Sequence, residues 1–107
     1  MDETFFIKRG DTSPFLRFAL EPAATVVLTG AAVLFQMRRR NGAMLVSRAA
    51  TVITAVGTPT VQFNWQAGDT VEAGNFEGEF RVTYGDGSIE TFPNEGFIPI
   101  RISEDVA

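Results

Sequence analysis

Apolar and polar residues alternate along much of this chain with a period of two, the spacing that lines one face of a β-strand. "VQFNWQ" (61–66) sets Val61, Phe63 and Trp65 on one side and Gln62, Asn64 and Gln66 on the other. "NFEGEFRVTY" (75–84) repeats the pattern with Phe76, Gly78, Phe80, Val82 and Tyr84, and "SIETF" (88–92) continues it. "FIPIRI" (97–102) closes the run with Ile98, Ile100 and Ile102. Pro99 cannot donate to a ladder, so this last strand is expected at a sheet edge.

Nearer the start, "TFFIKR" (4–9) reads as a short strand before the turn-prone Gly10-Asp11-Thr12-Ser13-Pro14. "FLRFAL" (15–20) places Leu16, Phe18 and Leu20 opposite Phe15, Arg17 and Ala19, "EPAA" breaks the run, and "TVVLTG" (25–30) suits a short strand or connector. "AAVLFQMRRR" (31–40) is rich in helix formers. Yet Val33, Phe35 and Met37 share a period-2 face, and Asn41-Gly42 follows. An apolar run into Asn-Gly signals a hairpin, so the segment is read as a strand turning into "AMLVSRAATVIT" (43–54), which is expected to bend around Ala49-Ala50. Asp86, between Gly85 and Gly87, is read as the corner of a second hairpin of type I′.

Seven or eight short strands with frequent turn signals outline an all-β fold, a two-sheet antiparallel sandwich. No convincing crossover helices separate the strands, which opposes a parallel α/β architecture. The 107 residues make one domain, 1–107, and the 45% hydrophobic content, with ten Phe, supplies material for one core. "AGDTVEAG" (67–74) is a polar connector.

Candidate chemistry is sparse. There is no Cys and no His, which removes thiolate and imidazole nucleophiles and the commonest transition-metal ligands. The carboxylates are dispersed and form no EF-hand pattern; Glu77 and Glu79 share one strand's polar face, a position normally given to solvent. No catalytic residue, cofactor site or metal site is assigned, and the chain is not expected to be an enzyme. A net charge of −4 opposes nucleic-acid binding, and no apolar stretch is long enough to span a bilayer. The acidic start Met-Asp-Glu-Thr lacks the basic region of a secretory leader, so residence in the cytosol, or in something assembled there, is expected.

Two features suggest contact with a protein partner. Arg38, Arg39 and Arg40 form the sharpest charge cluster, read as a solvated hairpin tip, as a protein interface or, most weakly, as a nucleic-acid patch. The Phe content exceeds what a small sandwich usually needs: Phe5 and Phe6 are adjacent, so one should face outward, and Phe97 beside the last strand can do likewise.

A family resemblance runs through nearly the whole chain, about residues 5 to 102. Its elements are "IKRGDTSPFLRFAL", then "VVLTGAAVLFQMR", then "VSRAATVI", then "VQFNWQAGDTVEAGNFEGEFRVTYGDGSIETFPNEGFIPIRI". In that order they resemble the amino-terminal domain of the phage baseplate upper protein family and related short phage tail and virion proteins. The resemblance implies an immunoglobulin-like sandwich serving as a virion structural subunit, present in many copies within a symmetric assembly formed in the bacterial host cytoplasm. Its implied partners are other phage structural proteins, with no nucleic acid and no membrane. The motifs are strand and turn signatures and carry no functional residue across. In the baseplate proteins the domain heads a longer polypeptide, whereas this sequence ends at "RISEDVA". That favours a stand-alone piece on the head, in the neck or around the tail tube. The alternatives are a capsid decoration protein and a module binding host-surface glycan or protein, the latter requiring Trp65 and Tyr84 to be exposed.

Overall fold

A computed structural model describes residues 3–21, 26–40 and 42–106. Its strands are β1 (Phe5–Lys8), β2 (Leu16–Ala19), β3 (Ala32–Arg39), β4 (Met44–Ala49), β5 (Thr51–Thr54), β6 (Thr60–Phe63), β7 (Gly74–Thr83), β8 (Ile89–Phe92) and β9 (Ile98–Ser103). One sheet runs β1-β9-β7-β3-β4, with β8 also paired to β7, and the other runs β2-β6-β5. The fold is a two-sheet β-sandwich.

The period-2 residues of both sheets point at one another and make the core. Phe35 on β3 is its centre, with ring centroids 4.3 Å from Phe63, 5.1 Å from Phe80 and 5.9 Å from Trp65. Phe35, Phe80, Phe92 and Val61 are fully buried. Removing each such side chain from water is worth about 1.5–3 kcal/mol, so these rings dominate the attraction between the sheets.

The expected bend at Ala49-Ala50 is a change of sheet. β4 pairs with β3 in the larger sheet and β5 pairs with β6 in the smaller one, so one continuous β-rich run yields two strands. This is why nine strands are described where seven or eight were expected. Pairing is antiparallel except for β1 against β9, which are parallel with Phe5 opposite Ile100. The β3–β4 hairpin closes at the expected place, with the Gly42 N–H donating to the Arg39 carbonyl at 2.7 Å. Asn41 itself lies outside the described residues, as do residues 22–25 of "EPAA" and the start of "TVVLTG". Residues 26–28 are a connector whose Val26 and Leu28 are buried.

Three sequence expectations are corrected. The last strand is not at an edge, since β9 lies between β1 and β7. Pairing with β1 starts only at Ile100, so Pro99 occupies the stretch of β9 that has no neighbour on that side. The proline identified a local edge, not an edge strand. The second hairpin is not type I′: Gly87, at φ 90°, ends a three-residue loop whose Tyr84 N–H donates to the Ser88 carbonyl. Asp86 remains its corner, its carboxylate accepting from the Ser88 N–H at 2.9 Å and hydroxyl at 2.6 Å. These bonds stabilise the ionised form and hold Asp86 below the usual carboxylate range. Finally, Gln62, on the polar side of its strand's alternation and so expected to be exposed, is buried, held by Arg17 Nε at 3.0 Å and donating to Asn64 at 2.8 Å.

The polar connector folds as a 3₁₀ turn, Ala67–Thr70. Buried Thr70 clips it to the β1–β2 loop, its hydroxyl donating to the Asp11 carbonyl at 3.0 Å while its own carbonyl accepts from Gly10 N–H at 2.9 Å. Asp69 of the same turn receives both guanidinium nitrogens of Arg48, at 2.7 and 3.1 Å, and the Gln66 N–H at 2.7 Å. Burial alone would raise its pKa, but these donors prevail and hold it below the ordinary value.

Candidate interaction surface

β8 and β9 are two halves of one interrupted strand. Both run antiparallel along the same edge of β7, β8 beside residues 80–83 and β9 beside residues 74–78. The chain between them, residues 93–97, has no place in the ladder and rides out near the middle of β7. Phe97 and Gly96 from this loop wall a hollow of about 180 Å³ on the outer face of the larger sheet. The register supplies its base: Gln36 on β3 stands opposite Glu79 on β7, and Arg38 opposite Glu77. Met44, at the start of edge strand β4, forms the far side and is 56% exposed. A second hollow on the other side of Phe97 includes Arg40, Asn75, Glu95 and Pro99.

The charges are unequally satisfied. Arg38 Nε donates to Glu77 Oε1 at 2.7 Å, and Glu77 is only 8% exposed. The sequence expectation that Glu77 faces solvent is therefore corrected, because the neighbouring loop and Arg38 cover it. A carboxylate this deep would be costly to bury without such a partner. Glu79, half-buried on the same face, has no side-chain hydrogen bond or ion pair among the described residues.

The six residues singled out from sequence do not form one patch. Arg38, Arg40 and Phe97 converge around the two hollows. Phe6 points out from β1 and is 65% exposed, on the same outer face but at the far edge of the sheet. Phe5 is a core residue, half-buried and stacked on Trp65 at 5.8 Å, because β1's alternation turns it inward with Ile7. Arg39 also belongs to the inner side, its guanidinium 5.6 Å from the Phe76 ring centroid and paired with Glu72. The residues that sequence reading missed are Gln36, Met44 and Glu79. Their available signal was the match between Gln36-x-Arg38 and Glu77-x-Glu79, which cross-strand pairing makes neighbours.

At the opposite end of the sheet, Tyr84 donates its hydroxyl to Glu90 at 2.7 Å. Burial and this carboxylate push the phenol's pKa up to about 12. Trp65 is buried, with its indole N–H unpartnered. Tyr84 is half-buried and borders a shallow hollow with Val27, Thr29 and Glu90. Among the described residues no three His, Cys, Asp or Glu side chains group as metal ligands, and no helix is long and apolar enough to cross a membrane. Among the described residues the outer-face hollow combines one ion pair, Arg38–Glu77, with a carboxylate, Glu79, that has no side-chain partner.

Comparison with known proteins gives no match: no family model fits the chain, and no curated protein or solved structure is significantly similar to it.

Proposed function

We propose that this protein is a structural subunit of a bacteriophage particle, a tail, baseplate or neck component that works through repeated protein–protein contact. The observation that carries the reading is the division of labour between the two sides of the larger sheet. Its inner side is consumed by aromatic packing, while its outer side bears the Phe97 loop, Arg38 and Arg40 around adjacent hollows. The strand and turn motifs over residues 5 to 102 that resemble the baseplate family support the same reading. A rigid sandwich repeated by symmetry multiplies modest contacts into a stable assembly.

The test is incorporation. Mass spectrometry of purified particles should find the chain in multiple copies. Phe97→Ser and Arg40→Glu should lower its copy number while the isolated variants keep wild-type unfolding midpoints, since both side chains lie outside the core. A chain absent from particles and monomeric at high concentration would overturn the proposal.

A further inference from the structure

We propose that the hollow between Met44 and Phe97 is a socket for a lysine or arginine side chain presented by a partner protein. The inference rests on the contact-making role above and adds the chemistry of the contact.

Charge complementarity carries it. Glu77 is paired with Arg38 at 2.7 Å, so this ion pair contributes little net charge to the hollow. Glu79, beside it on β7, is half-buried and lacks a side-chain partner among the described residues, so the hollow carries about one uncompensated negative charge. Gln36, opposite Glu79, donates its amide to the Met44 sulfur at 4.0 Å, and among the described residues its amide oxygen has no partner, which leaves it as a further acceptor. An anionic guest would face Glu79 directly and be repelled.

Shape points to the same guest. The walls are a thioether and an aromatic ring, Met44 and Phe97, which suit the aliphatic stem of a long cationic side chain. The ring can also attract the charged tip. The hollow, of about 180 Å³, has room for one such side chain and too little for a folded element. The chain's net charge of −4 favours approach of a basic surface over an acidic one.

The experiment titrates the full chain with Nα-acetyl-arginine amide and with its uncharged counterpart Nα-acetyl-citrulline amide, reading backbone amide shifts by NMR. The arginine compound should move the amides of Gly78, Glu79, Gly96 and Phe97 and bind at least about tenfold more tightly than the citrulline compound, as expected of a charge-assisted contact. Glu79→Gln should abolish that preference, and Glu95→Gln, in the neighbouring hollow, should retain it. Equal binding of the two compounds, a preference that survives Glu79→Gln, or shifts spread evenly over all exposed carboxylates would overturn the socket. A flat titration with the chain present in particles would remove the socket and leave the subunit role standing. Absence from particles with a selective titration would do the reverse.

Discussion

Gly78 tests the packing beneath the hollow. It sits on the inward side of β7, where an added Cβ would lie 2.7 Å from Ile100 Cδ1 and 3.1 Å from two atoms of the Phe35 ring. Both neighbours are essentially fully buried, Ile100 at 1% and Phe35 at 0% exposure, so neither has free space to retreat into. Gly78→Ala should gain about 0.4–1 kcal/mol by restricting the unfolded chain, its backbone not being in the left-handed region. Overpacking should cost about 1–3 kcal/mol, which outweighs that gain. The expected net loss is about 1–2 kcal/mol, a fall of roughly 0.5–1 M in urea midpoint at an m-value of about 2 kcal/mol/M. Ile100→Val removes the colliding Cδ1 and alone should cost about 0.5–1.5 kcal/mol. In the double variant the new methyl occupies the vacated space, so the two losses should couple favourably by about 1 kcal/mol. Urea unfolding followed by fluorescence of Trp65, the chain's one tryptophan, reads all three variants. A Gly78→Ala variant as stable as wild type, or a double variant equal to the sum of the singles, would refute the reasoning.

Tyr84 is the single tyrosine, so the ultraviolet absorbance of tyrosinate reports it alone. Its midpoint in the folded protein should lie near 12, with Glu90→Gln bringing it back toward the ordinary ~10; a wild-type midpoint at ~10 would rule out the Tyr84–Glu90 contact. Because the folded state holds this proton longer than the unfolded one, the associated stability is complete below pH ~10 and is lost as pH rises toward about 12. Asp69 behaves oppositely: its depressed folded value makes the Arg48 contact stabilising above the unfolded pKa of ~3.9, with loss as pH falls through the folded value. The stability gap between wild type and Asp69→Asn should therefore be full at pH ~6 and shrink steadily below pH ~4. A gap independent of pH would show that the carboxylate's charge contributes nothing.

How much of this was readable in the sequence follows from which contacts are local. Strand alternation is written residue by residue, so Phe63, Trp65, Phe80 and the isoleucines of β9 are placed inward by periodicity alone, as the fold has them. The change of sheet at Ala49-Ala50 left a trace as a pair of small residues within a β-rich run. Partner choice left none. That β9 lies between β1 and β7 depends on the first strand returning alongside the last, a pairing across nearly the whole chain. Phe5 and Phe6 were decided locally: Ile7 inward and Lys8 outward on the same strand put Phe5 on the core side, where it stacks on Trp65.

The surface features arise where regular alternation fails. Had β8 continued into β9, its ladder with β7 would have run unbroken past Glu79. Instead residues 93–97 leave the sheet at that level, and Gly96 and Phe97 become a wall standing over Glu77 and Glu79. The same interruption explains why Glu77 is buried though it occupies an outward position, and why Arg38 must cross from β3 to neutralise it. Glu79 receives no such counter-charge among the described residues. The Pro-Asn-Glu-Gly break between "SIETF" and "FIPIRI" is thus the element that gives this sheet face its shape and charge. Replacing it with a regular strand would leave the core rings untouched while erasing the hollow. The buried rings and the shape of the outer face thus rest on different residues of β3 and β7, Phe35 and Phe80 on one side and Gln36, Arg38, Glu77 and Glu79 on the other.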